Sequence, residues 1–210
     1  GRKIGTLFVT YGIFLAFFIP IRFAAVGIVL NADKPYPIMR LSLLERLINL
    51  PAMIFYYIRN FFVPYDFAMA QHWTIQTMNI QSFYLPLLVD LLFFVLIFAF
   101  FALLVVKKST LRPAYIFFTL WFFLGLAMHL NIYPLDVTVA DRWFYFPSVG
   151  LLGMLGVLFM TLRLSKRPIF AYAMICIILI LSVRTIVRTF DWRTGLTLAS
   201  RDIVYSHHSF

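Results

Sequence analysis

Charge and cysteine are the scarcest things in this 210-residue chain. Only 12% of its residues are charged, eight acidic against eighteen basic, and its one cysteine, Cys176, lies inside an apolar run. A lone cysteine excludes a disulfide framework and a cysteine-pair metal site. No signal peptide opens the chain, which begins Gly-Arg-Lys without an initiator methionine and closes Ser-His-His-Ser-Phe210. A processed or partial chain is therefore expected. No internal repeat is visible, which argues against the paired-repeat build of many secondary transporters.

What the chain has is apolar bulk. Hydrophobic residues make up 63%, aromatics 19%, and phenylalanine alone occurs 25 times. Mean hydropathy is +0.92. Several runs reach the ~20 residues that a helical span needs. The expected class is an all-α polytopic membrane protein whose first partner is the lipid bilayer. The net charge of +10 does not signal nucleic acid, because Lys and Arg gather beside the spans, where they set orientation and meet anionic lipid.

Along the chain the first span runs from about Gly5 to Leu30, with Pro20 and Arg22 in its second half, and a turn containing Asp33, Lys34 and two prolines follows. In residues 41–63, Glu45, Arg46, Asn49, Tyr56, Arg59 and Asn60 recur at helical steps and form one polar stripe. The uncharged stretch from Leu47 to Ile58 is shorter than a hydrocarbon core at ~1.5 Å per residue. An interfacial or re-entrant amphipathic helix is expected there, with a sixth span as the alternative. Further spans are expected at about Phe83–Val106, Pro113–Leu130, Arg142–Leu162 and Pro168–Val187, five in all. Residues 1–187 would form the membrane domain and 188–210 an amphipathic tail.

The short loops Lys107–Arg112 and Arg163–Arg167 are the richest in basic residues and read as cytoplasmic. Residues 64–82, 131–143 and everything after about Val187 then lie outside. The unusual charges gather on that exoplasmic side, among them Arg46, Arg59, Asp66, His72, Asp136, Asp141, Arg142, Arg184, Arg188 and Asp191. Positive charge placed against the positive-inside trend calls for an anionic ligand or for pairing with carboxylates.

Asp141-Arg142 stands at the mouth of an apolar span. Ionisable groups there mark a functional site by default, or anchor the helix by snorkelling towards lipid phosphate. Arg184 and Arg188, four residues apart, share one helix face. With Arg142 they form a candidate phosphate clamp, since a guanidinium stays charged and matches phosphate oxygens with a planar fork of donors. The alternative is snorkelling at a helix end, with Asp191 as a partner. Arg46, Arg59 and His72 are secondary candidates. Asp66 is a candidate general base, or a turn acid. Asp141 is expected to orient Arg142 rather than to take a proton. Asp90 lies about two turns inside a span and needs a partner or a cavity. His72, His129, His207 and His208 lack ligand spacing, so neither metal nor haem is expected. Ser148 has no visible His-Asp partner.

Ala140-Asp-Arg-Trp-Phe-Tyr-Phe-Pro-Ser-Val-Gly150 resembles the Ala-(Glu/Asp)-Arg-x-x-Tyr-x-Pro-Ser-(Ile/Val)-Gly signature of transmembrane and tetratricopeptide-repeat O-mannosyltransferases and their bacterial relatives. Arg184-Thr-Ile-Val-Arg-Thr-Phe-Asp-Trp192 is similar to the Arg-x-x-x-Arg-x-x-x-Trp segment that ends their last span, and a looser likeness covers Ser42-Leu-Leu-Glu-Arg46 through Tyr57, Pro64 and Tyr65-Asp-Phe67. The resemblance implies the carboxy-terminal membrane half of a glycosyltransferase C-type enzyme, in the bacterial inner membrane or the endoplasmic reticulum. It implies a polyprenyl-phosphate-linked sugar as donor and a protein or other acceptor at the exoplasmic face. Asp141, Arg142 and Tyr145 would lie at the donor-lipid site, with Arg184 and Arg188 nearby. The family's catalytic acid lies in an early exoplasmic loop, and no early acidic pair occurs here. The base is thus expected outside these residues, and Arg201-Asp-Ile-Val-Tyr205 would lead into repeats. A non-enzymatic subunit or scaffold that binds lipid headgroups or other chains is the alternative.

Overall fold

A computed structural model describes residues 2–26, 36–64, 69–164 and 167–205. The turn carrying Asp33 and Lys34, the segment carrying Asp66, and His207 and His208 lie outside the described residues. The chain forms two compact units, Gly1–Pro35 and Tyr36–Phe210. The first is built on helix α1 (Arg2–Val26), with Pro20 inside it.

The second unit is helical. It contains α2 (Pro37–Arg40), α3 (Leu43–Phe62), α4 (Leu85–Val106), α5 (Arg112–Ala127), α6 (Tyr145–Thr161), α7 (Pro168–Thr189) and α8 (Gly195–Tyr205). A π-helical turn, Ile80–Tyr84, opens α4, and 3-10 turns at Asp141–Phe144 and Phe190–Arg193 precede α6 and α8. Among the described residues the only extended pairing is a single bridge between Gln71 and Val139.

Three helical stretches are long and apolar enough to cross a membrane: Ile80–Val106, Asp141–Thr161 and Pro168–Arg193. They fall on three of the expected spans. Two further expected spans appear as shorter apolar helices, Val9–Ile21 and Arg112–Ala127. The described residues thus form an all-helical fold, and its three long apolar helices are consistent with a membrane protein.

Residues 41–63 do form one amphipathic helix, α3. A capping box starts it: Ser42 Oγ accepts from the Glu45 amide at 3.4 Å, and the Glu45 carboxylate accepts from the Ser42 amide at 2.7 Å. The Ser42 hydroxyl, which also donates to the Glu45 carboxylate at 2.7 Å, and then the Ser42 amide hold the Glu45 carboxyl below its ordinary range. The Ser42-to-Glu45 part of the looser likeness thus has a local structural cause. The uncharged members of the polar stripe turn inward, while Glu45 stays exposed and Arg46 and Arg59 are half-buried. Asn49, Tyr56 and Asn60 are buried, while Leu43, Leu44 and Phe62 are exposed.

α5 and α6 form the tightest pair. A Cβ added at Gly150 would come within 2.5 Å of the Phe122 amide nitrogen and 2.7 Å of the Phe118 carbonyl oxygen. Only a glycine lets the two backbones approach this closely. The last residue of the Asp-Arg motif is thereby explained by packing. Around this contact Phe122, Leu126, Leu151 and Met154 form a buried core with Met53 and Tyr57 of α3.

Candidate functional site

The two loops assigned to the exoplasmic side by charge are joined to each other. Gln71 donates its amide to Val139 O at 3.0 Å and accepts from Thr138 N at 2.8 Å, and Thr138 Oγ1 donates to Trp73 O at 2.6 Å. Asn131, held at a positive φ of 53°, folds the second loop by donating to Val137 O and Thr138 O and accepting from the Leu135 amide. Asn49 stitches α3 to the first loop, accepting from the Ile75 amide at 2.6 Å and donating to Ile75 O at 3.3 Å. Together these bonds fix Ala140 and Asp141 over the end of α3.

A directed chain of hydrogen bonds ends on Asp141. Trp73 Nε1 donates to Gln71 Oε1 at 2.7 Å, Gln71 Nε2 to Tyr56 Oη at 3.3 Å, and Tyr56 Oη to Asp141 Oδ1 at 2.5 Å. An indole N–H only donates, so it fixes the orientation of the Gln71 amide. The Tyr56 hydroxyl then receives one bond and gives its proton to Asp141. That places Asp141 Oδ1 as an acceptor. Burial, and then the neighbouring Asp141 charge, pushes the Tyr56 hydroxyl well above the ordinary tyrosine range. Tyr57 is pushed up as well, mainly by burial. Its hydroxyl accepts from the Ala140 amide at 3.4 Å and its ring stacks on Phe144 with centroids 5.2 Å apart.

Beyond Asp141 opens a cavity of about 640 Å³ between the end of α3, the start of α6 and the last turns of α7. Asp141, Arg142, Tyr145, Arg184 and Arg188 all line it. The two sequence motifs, some forty residues apart, therefore meet at one place. Its apolar wall includes Phe61, Phe144, Leu152, Leu181 and Trp192. Arg184 Nε donates to the Pro64 carbonyl at 3.1 Å. Arg188 pairs with Asp191 at 3.0 Å and with Asp202 of α8 at 3.5 Å. The expected pairing of Arg188 with Asp191 is present, within a cavity wall rather than on a free helix end.

The remaining candidates lie elsewhere in the hydrogen-bond network. Arg46 donates to the carbonyls of Leu41 at 2.7 Å and Ile132 at 3.3 Å, tying α3 to the second loop. Arg59 donates to Asn60 Oδ1 at 3.4 Å. His72 stacks on Tyr36 with centroids 5.0 Å apart, and His129 stacks on Trp143 and contacts Gly125 O through Nδ1. Ser148 lines the cavity, but its hydroxyl donates to the Tyr145 carbonyl. Asp90 is buried beside a smaller, apolar cavity between α3 and α4, and among the described residues its carboxylate has no hydrogen-bond partner. Among the described residues no three His, Cys, Asp or Glu side chains gather as a metal site.

Tyr57, Asn60 and Phe61 join the cavity from α3, and Tyr56, Gln71 and Trp73 support it from behind. None of these had been singled out as a site residue from sequence. The signals in the sequence are the polar stripe on α3, the polar, Lys- and Arg-free stretch 68–82 and, for Tyr57, the looser family likeness. Compared with protein-family models, with curated proteins and with solved structures, the chain has no match.

Proposed function

We propose that the arginine-lined cavity binds the phosphate of a polyprenyl-phosphate-linked sugar at the exoplasmic membrane surface. The chain is then a large part of a membrane glycosyltransferase that delivers the sugar to a protein or other acceptor. The observation that carries this reading is that Arg142, Arg184 and Arg188 line one cavity whose remaining wall is aromatic and aliphatic. Guanidinium forks suit phosphate oxygens, and the apolar wall suits the first isoprene units of a carrier lipid. In this reading the membrane domain has five spans: α1 and α5 to α7, together with α4 and its opening turn. α3 lies at the exoplasmic interface as a non-crossing helix.

The chemistry assigned to the cavity is positional. Arginines that hold the donor phosphate place the sugar and neutralise charge developing on the leaving group. Asp141, fixed as an acceptor by Tyr56, orients that end of the cavity. The base that activates the acceptor comes from residues other than those lining the cavity, either Asp66 or a part of the protein outside this chain. A scaffold reading has one observation in its favour: Arg188 is already paired with Asp191 and Asp202.

Binding of farnesyl phosphate to the chain in lipid nanodiscs tests the arginine-lined anion site. Arg142→Ala and Arg184→Ala are expected to weaken binding at least about tenfold, the worth of one charge-assisted contact. Arg142→Lys keeps the charge but loses the fork and should fall well short of wild type. Arg163→Ala, at the far end of α6, should bind as wild type does. Equal binding by all four variants would leave only the scaffold.

A further inference from the structure

Asp202 of α8 bonds two residues that line the cavity. Asp202 Oδ1 accepts from Arg188 Nη2 at 3.5 Å, and Asp202 Oδ2 accepts from the Met69 backbone amide at 3.3 Å. Arg188 and Met69 both line the cavity. A carboxylate that takes a guanidinium N–H and a backbone N–H together occupies the donors an incoming phosphate would use. Both bonds are at the long end of the hydrogen-bond range, so a phosphate with two or more free oxygens has better geometry to offer the same donors. Otherwise α8 is held close to its own start: Thr197 Oγ1 donates to the Asp191 carbonyl at 2.9 Å, and Thr194 and Thr197 bond each other.

We infer that Asp202 is a built-in competitor for the anion site and that α8 is a latch released when a phosphate enters the cavity. This rests on the anion-binding reading above. Asp202 and the phosphate exclude each other at Arg188 and the Met69 amide. The latched tail therefore lowers phosphate affinity, and bound phosphate loosens the tail by the same factor. Occupancy of the cavity is thereby reported to whatever α8 leads into or docks against. Asp191 pairs with Arg188 from the turn itself.

The test uses the full chain in nanodiscs with two separate probes, farnesyl phosphate and inorganic phosphate, and two readouts: affinity, and deuterium uptake across residues 195–205. Asp202→Asn is expected to bind farnesyl phosphate about fivefold or more tightly than wild type, the low end of an allosteric coupling. In wild type, saturating farnesyl phosphate should raise α8 exchange above that of the unliganded wild-type protein. This second readout needs no variant to fold. If inorganic phosphate gives the same changes, the site reads the phosphate alone; if only the lipid does, it reads a headgroup with its chain. Both outcomes support the latch. Binding by wild type with equal affinity in Asp202→Asn and unchanged α8 exchange would overturn the latch while leaving the anion site standing. No binding by either protein would overturn both.

Discussion

α3 and α7 are nearly equal in length, at 20 and 22 residues, and opposite in construction. α3 carries its uncharged polar groups inward, and Asn49, Tyr56 and Tyr57 connect it to two loops through hydrogen bonds that leave little freedom. α7 has no buried residue at all. It meets the rest of its unit at its start through Phe170 edge-on to Phe159 of α6, with centroids 4.9 Å apart, and at its end through Arg184 on the Pro64 carbonyl and Arg188 on Asp191 and Asp202. One helix is fixed by buried hydrogen bonds, the other is exposed along its length and held near its two ends. The cavity lies where the two meet, one wall rigid and the other held by exchangeable charge. That asymmetry suits a site that must hold a headgroup precisely and still admit it from the bilayer.

The comparison breaks most sharply at Asn49. Asn49→Ala leaves the Ile75 amide without its partner and should lower stability by about 2 to 3 kcal/mol, read by thermal unfolding in detergent. Tyr56→Phe removes the bond to Asp141 and should cost about 1.5 to 3 kcal/mol, as bonds to charged groups do. That variant also sharpens a pH claim. The folded chain holds the Tyr56 proton more tightly than the unfolded chain, so this contribution is full below about pH 10 and is lost as pH rises beyond it. The wild-type and Tyr56→Phe proteins should accordingly show the same tyrosinate absorbance at pH 11 while folded. An extra ionising tyrosine in wild type would contradict the buried placement. On the other side of the comparison, Leu179→Ala in exposed α7 should change stability by no more than about 0.5 kcal/mol. A larger loss would mean that a partner covers α7.

The helices were legible because their signals are local. Apolar runs near twenty residues and basic loops placed α4, α6 and α7 within a few residues of their bounds. The stripe from Glu45 to Asn60 marked an amphipathic α3. Sequence left open which way that stripe faces, because inward and outward polar faces share one periodicity. Asp141, Arg142 and Tyr145 are grouped by proximity along the chain, and Arg184 with Arg188 by helical spacing; what brings the two groups together is tertiary. The Trp73–Gln71–Tyr56–Asp141 chain was invisible for the same reason, since its members come from three separate segments and each residue type is unremarkable alone. The Asp202 contact with Met69 spans 133 positions, beyond any local pattern.

Photo-crosslinking with a diazirine-bearing isoprenyl phosphate in nanodiscs, mapped by mass spectrometry, tests the central claim most directly. The account expects adducts concentrated on the cavity wall at Leu152, Leu181 and Trp192, suppressed by unlabelled farnesyl phosphate and lost in Arg142→Ala. Adducts scattered along the lipid-facing surfaces of α4 and α7, unchanged by competitor or by that substitution, would contradict it.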